Sequence, residues 1–210
     1  MNNAKRNEIV RILAQVRPNP VSELNWNNPF ELLIAVMLSA QATDKGVNAA
    51  TPALFEVAPT PQAMSTMTVE EIENLIKTIG LYRNKAKNAL AIAKILCEKF
   101  DGQVPDNFDD LITLPGVGEK TAKVVLNVAF GKPYIAVDTH IFRVAHRTGM
   151  SNKATPSEVG AQLEKCLDKE LLLNAHHWIL LHGRYCCKAR TPDCKNCPIV
   201  ELCEFKEKNL

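Results

Sequence analysis

Apolar residues recur along this chain at the three- and four-residue spacing of amphipathic helices, almost from end to end. In residues 68–80, TVEEIENLIKTIG, the side chains of Ile72, Leu75, Ile76 and Ile79 fall on one face. Thr68 and Glu71 stand three apart, so each can take the other's backbone N–H in a capping box, and Gly80 offers a stop. The stretch ATPSEVGAQLEKCL repeats the device with Thr155, Pro156 and Glu158, followed by a stripe of Val159, Leu163, Cys166 and Leu167. Residues 29–40, PFELLIAVMLSA, are apolar nearly all round, which predicts a buried helix. The one β-like run, Tyr134–Val137, is too short to support a sheet. The pattern predicts an all-α protein of roughly ten helices, with no repeat of 20–50 residues and no low-complexity segment.

Composition narrows this picture. At 210 residues and 46% apolar content the chain can bury a core as one large or two small domains. Its apolar runs fall far short of the roughly 20 residues a membrane helix needs. The first ten residues, MNNAKRNEIV, hold no hydrophobic signal core, so the expected location is the cytoplasm. A formal net charge of +2 neither requires nor excludes a polyanionic partner, because a local patch suffices. Positive charge is uneven. Lys77, Arg83, Lys85, Lys87, Lys94 and Lys99 face a single acid, Glu98, within residues 77–99. Arg184, Lys188, Arg190 and Lys195 face only Asp193 within 184–195. Each stretch is either a solvated face or a phosphate-facing patch.

Two further segments carry chemistry. In LPGVGEKTAKVVLNVAFG, residues 114–131, Pro115, Gly116 and Gly118 predict a tight hairpin entering a helix packed by Val124, Val125 and Val128. Asp109, Leu111 and Ile112 suggest a short helix before it. Glycines let backbone approach a phosphate, and the N–H groups around Gly116, Val117 and Gly118 with the helix N-terminus would grip it without reading bases. An ordinary turn between helices is the plainer reading of G-x-G alone. Lys120 lies in the first turn of the following helix, at the unfavourable end of its dipole for an ammonium. Closure over a ligand would also desolvate it, and both effects favour the free, nucleophilic amine. Asp138 opens the run DTHIFRV, where one carboxylate oxygen could cap the helix while the other stays available.

The last quarter of the chain holds Cys187, Cys194, Cys197 and Cys203, spaced C-x6-C-x2-C-x5-C. Seven cysteines in a chain expected in a reducing compartment argue against a disulfide framework and for ligation. Spacing leaves zinc and an iron–sulfur cluster both open, since zinc ribbons usually bring two C-x2-C pairs and only Cys194–Cys197 is one here. Cys97 and Cys166 fall on apolar helix faces as core residues, and Cys186 fits neither role.

LPGVGEKTA, VDTHIFRVAHRTG and the terminal cysteines together resemble the helix-hairpin-helix DNA glycosylases, as do SAQATD (39–44), TIGLY (78–82) and HGRYCC (182–187). The resemblance runs over nearly the whole chain. It implies a base-excision repair enzyme that removes oxidised pyrimidines from duplex DNA and cleaves the abasic site by β-elimination through a lysine Schiff base. Lys120 would be the nucleophile, and Asp138 would support the reaction at the sugar. Gln41 would fill the gap left by a flipped nucleotide and Leu81 would wedge the strands. Lys188 and Arg190 would touch phosphate. The four cysteines would hold a [4Fe–4S] cluster of structural role. His140 could orient Asp138, bind phosphate or simply pack. The implied architecture is two helical lobes with DNA between them: a six-helix lobe over about 22–132 and a cluster lobe joining 1–21 to 133–210, with Lys120 and Asp138 facing each other across the cleft. The expected protein is a monomer associated with the nucleoid. A mismatch-specific glycosylase of the same superfamily, or a non-catalytic DNA clamp, is the alternative. The first typically lacks the lysine, and the second needs neither Lys120 nor Asp138.

Overall fold

The computed structural model describes residues 1–210, and they form eleven helices and no strand. In order these are α1 (Asn3–Val16), α2 (Pro29–Leu38), α3 (Asp44–Val57), α4 (Pro61–Ser65), α5 (Val69–Ile76) and α6 (Tyr82–Lys99). They continue as α7 (Phe108–Leu111), α8 (Glu119–Phe130), α9 (Thr139–Thr148), α10 (Pro156–Cys166) and α11 (Lys169–Tyr185). The chain divides into two compact units, Ser22–Phe130 and the discontinuous pair Met1–Val21 with Gly131–Leu210. No helix is long and apolar enough to cross a membrane.

In the unit Ser22–Phe130, α2 is the central helix and packs against α3, α6 and α8. Every residue from Phe30 to Leu38 is buried, as its all-round apolar sequence requires. Asn28 caps it by accepting the Glu31 N–H at 2.9 Å, and Pro29 opens the first turn. The capping box of α5 forms in full, with Glu71 N–H donating to Thr68 Oγ1 at 3.2 Å and Thr68 N–H to Glu71 Oε2 at 2.7 Å. Hydrogen bonds from the Thr68 backbone and hydroxyl hold the Glu71 carboxyl below the usual carboxylate range.

The stop falls earlier than Gly80: α5 ends at Ile76 with Lys77 as its C-cap, and the left-handed residue that follows is Leu81, at φ 60°. Charge placement departs as well. Lys85 does not belong to a basic surface, because it is buried on α6 and its Nζ has no hydrogen-bond partner. Burial pushes that ammonium below the usual lysine range.

In the discontinuous unit, buried polar residues tie α1 to the C-terminal half. Arg6 Nε donates to Met150 O at 2.7 Å. The Asn7 amide and Asp168 exchange two bonds of 2.9 Å. Ile9, Val10 and Leu13 then enter one apolar cluster with Ile141, Val144 and Ile179. Thr155 and Glu158 cap α10 reciprocally. Tyr134–Val137 pairs with no strand, and Ile135 N–H donates to the Glu164 carboxylate at 2.9 Å. A side chain on α10 thus satisfies backbone that a sheet would otherwise have to satisfy.

Candidate functional site

The hairpin between α7 and α8 is built by one glycine more than by two. Gly116 takes φ +76°, and a side chain there would meet Asn88, whose Nδ2 lies 2.5 Å from the place of a Cβ. Gly118 has an ordinary φ, and a Cβ there would meet nothing within 4 Å. Its missing side chain leaves open space on the surface of the turn. Val117 differs from its neighbours. Its side chain is buried and its N–H already donates to Leu114 O at 3.1 Å, so that N–H is not free for a ligand. Lys120, the second residue of α8, is exposed and makes no ion pair. The nearby carboxylate is taken by another lysine: buried Lys123 reaches Glu119 Oε1 at 3.1 Å, one turn along the helix.

Gln41 and Leu81 share an uncommon backbone state. Both are left-handed, at φ 55° and 60°, and neither is glycine. Such a residue costs of order 1 kcal/mol or more and persists only where its surroundings impose it. Leu81 is also 58% exposed, so burial does not account for a leucine there. The loops carrying these two residues are neighbours, since the place of a Gly80 Cβ lies 4.0 Å from Gln41 O.

Asp138 caps α9 with one oxygen only. Oδ1 accepts both the His140 N–H at 2.9 Å and the Ile141 N–H at 2.8 Å. Oδ2 takes no protein hydrogen bond, which leaves half of the carboxylate for other work. The His140 ring does not touch Asp138. Its Nδ1 meets Arg143 Nη2 at 3.2 Å, so the histidine is packed beside an arginine. Arg143 also donates to Gly183 O and Cys187 O, tying α9 to α11 and to the first cysteine. Gly183 permits that approach, because a Cβ there would stand 3.0 Å from His140 Cβ and O.

The four cysteines line one pocket together with Arg147, His182, Cys186 and Ile199. Cys97 and Cys166 are half-buried and lie outside it. Arg147 pins the loop after Cys187. It donates to Lys188 O at 2.7 Å and Ala189 O at 2.8 Å, reaches Cys187 Sγ at 3.6 Å and lies over the Phe205 ring at 4.9 Å. Lys188 and Arg190 project from this pinned loop and are exposed. A hydrogen bond from Cys186, with help from His182, holds the Cys197 thiol well below its ordinary range. Burial pushes the Cys203 thiol up.

Four cysteine sulfurs around one pocket suit a cluster with several metal corners. Sequence reasoning passed over Arg143 and Arg147, which the run IFRVAHRT carries one helical turn apart. It also passed over His182, whose approach to Cys197 at 3.8 Å depends on how α11 meets the loop.

Comparison with known proteins agrees with this construction. The model of the HhH-GPD superfamily of base excision DNA repair proteins matches residues 34–169. Endonuclease III of Haemophilus influenzae and that of Escherichia coli are each 53% identical over 208 residues, covering 99% of both chains. The structure of a trapped endonuclease III–DNA covalent intermediate superposes with TM-score 0.92 at 45% identity, covering 97% of this chain and 96% of that one. A thermostable thymine-DNA glycosylase shares the fold with TM-score 0.86 at 24% identity. From a helix–hairpin–helix, a capping aspartate and a cysteine-lined cavity, and from relatives matched end to end, the chain belongs to the endonuclease III family of HhH-GPD base excision DNA repair proteins, which are DNA glycosylases and abasic-site lyases.

Proposed function

We propose that this chain excises oxidised pyrimidines from duplex DNA and nicks the strand at the resulting abasic site, with Lys120 as nucleophile and Asp138 as its carboxylate partner. The observation that carries the reading is the state of Lys120: exposed, without an ion pair, in the first turn after the glycine hairpin. The damaged nucleotide leaves the stack, at lower cost where damage weakens pairing. The Lys120 amine attacks the anomeric sugar carbon as the glycosidic bond breaks, and the base departs with the bonding electrons and a proton. The free oxygen of Asp138 stabilises positive charge developing on the sugar. The nitrogen lone pair then opens the sugar ring by breaking the C1′–O4′ bond, O4′ takes up a proton, and the product is a protonated Schiff base. Removal of a proton from the 2′ carbon expels the 3′ phosphate and nicks the strand. Water finally releases the sugar from Lys120. The relative trapped as a covalent DNA intermediate supports such a route here.

Gly116 and Gly118 would let a phosphate approach the hairpin, and Lys188 and Arg190 would add charge on the pinned loop. Val117 shapes the turn from its core side. Gln41 and Leu81 would fill and wedge the gap in the duplex. Their left-handed backbones suit that role, since strain holds both side chains out before DNA arrives. Leu81→Gly should therefore lower excision by about one to two orders of magnitude while leaving the melting temperature equal or slightly raised. Kinetics on a lesion duplex beside thermal melts would check this, and a fall in both would refute the strain argument.

The family is known for a [4Fe–4S] cluster, and here Cys187, Cys194, Cys197 and Cys203 would hold it. A cluster supplies cross-links that tie the loop together. The reaction itself uses Lys120 and Asp138. The protein would act as a monomer in the cytoplasm, associated with the nucleoid. The test is a panel of defined duplexes with oxidised pyrimidines, a mismatch and an abasic site, run with borohydride. Nicking and a trapped adduct on oxidised pyrimidines and abasic DNA are expected. Excision confined to the mismatch, or DNA binding without either reaction, would overturn the proposal.

A further inference from the structure

We infer that the cysteine cavity has a second, mononuclear binding mode, in which His182, Cys186 and Cys197 hold a single zinc ion in competition with the cluster. This rests on the reading of Cys187, Cys194, Cys197 and Cys203 as cluster ligands. Two donor sets overlap in the cavity. The wide set is the four cysteines that line it. The tight set is the His182 nitrogen with the Cys186 and Cys197 sulfurs, all within 4.8 Å of one another.

The spacing of the tight set fits one ion. Zn–S bonds of about 2.3 Å and Zn–N bonds of about 2.0–2.1 Å at a tetrahedral angle place nitrogen and sulfur ligands about 3.6 Å apart. Two sulfur ligands then stand about 3.8 Å apart. His182 Nε2 already lies 3.8 Å from Cys197 Sγ. Sequence and helix geometry supply the rest. His182 and Cys186 are four residues apart at the end of α11, so both project from one face. Cys197 comes to them from the loop. Once the ion has displaced the Cys186 proton, two thiolates and one neutral imidazole match the charge and softness preferences of zinc, and they leave the fourth position to a neighbouring sulfur or water. Cys186 also gains a purpose that the C-x6-C-x2-C-x5-C set does not give it.

Because Cys197 belongs to both sets, the two fillings exclude each other. Iron supply to the cell then decides which one the protein carries. Zinc would fasten the end of α11 to the 194–197 segment and leave Cys203 unligated.

The test uses full-length protein purified from iron-replete cells and from iron-starved, zinc-supplemented cells, with metal content measured per chain. Wild type from starved cells should carry about one zinc, with mixed nitrogen and sulfur coordination in zinc-edge X-ray absorption. Cys186→Ala and His182→Gln should keep their iron in replete cells and lose zinc by at least about tenfold in starved cells. Retained iron shows that each variant folds, and Cys186 is the milder change because it is only half-buried. An all-sulfur zinc shell, undiminished zinc in both variants, no zinc in wild type, or loss of iron from both variants would each overturn the second mode. Absence of iron from replete wild type would instead sink the cluster reading, and the zinc measurements would still decide the second mode.

Discussion

Lys120→Gln should abolish the borohydride-trapped adduct and lower strand nicking at an abasic site by at least about three orders of magnitude. Its unfolding free energy should stay within the range of an ordinary surface substitution, about ±0.5 kcal/mol. Both halves follow from placement. Lys120 is exposed and makes no ion pair, so glutamine removes no native contact. Glutamine also keeps a good helix propensity in the first turn of α8. What it cannot do is form a Schiff base. The natural control is Lys123, three residues on. That lysine is buried and reaches Glu119 at 3.1 Å, so Lys123→Gln should cost about 1 kcal/mol of stability and leave trapping intact. Trapping that survives in Lys120→Gln, or vanishes in Lys123→Gln, would give the nucleophile to the wrong lysine.

Asp138 should separate into two roles under substitution. Asp138→Asn keeps an oxygen for the His140 and Ile141 N–H groups, and asparagine is as good an N-cap as aspartate. Its stability should match wild type. Its excision rate should fall by about two to four orders of magnitude, because the uncapping oxygen loses its charge. Asp138→Ala loses both roles. Removal of the cap should cost a further ~1 kcal/mol, read as a drop of about 2–4 °C in a domain of this size. If Asp138→Asn turns over normally, the carboxylate is a cap and nothing else. Single-turnover rates paired with thermal melts on both variants separate these outcomes.

Features built from near neighbours in sequence were legible in advance. The capping boxes at Thr68–Glu71 and Thr155–Glu158 each need only four residues, and both formed. Burial of α2 followed from an apolar content with no polar face to turn outward. The cap at Asp138 was readable for the same reason. Long-range packing set the rest. A run of lysines on α6 reads as a basic face, yet Lys85 points into the interior. Gly80 reads as the stop of its helix, yet α5 ends at Ile76 and the left-handed backbone falls at Leu81. Val117 sits in a motif that reads as a phosphate grip, yet its N–H closes the turn on Leu114.

The sequence by itself determined an all-helical chain, its local caps, the glycine hairpin before Lys120, and a cysteine spacing open to zinc or a cluster. Each of these depends on groups close along the backbone, where geometry is nearly independent of the fold. Only the tertiary structure decided which sulfurs share a cavity, that Arg147 pins the loop carrying Lys188 and Arg190, and that His182 and Cys186 meet Cys197. Those pairings join residues from different elements. Burial and hydrogen bonding select them only once α9, α11 and the terminal loop have packed.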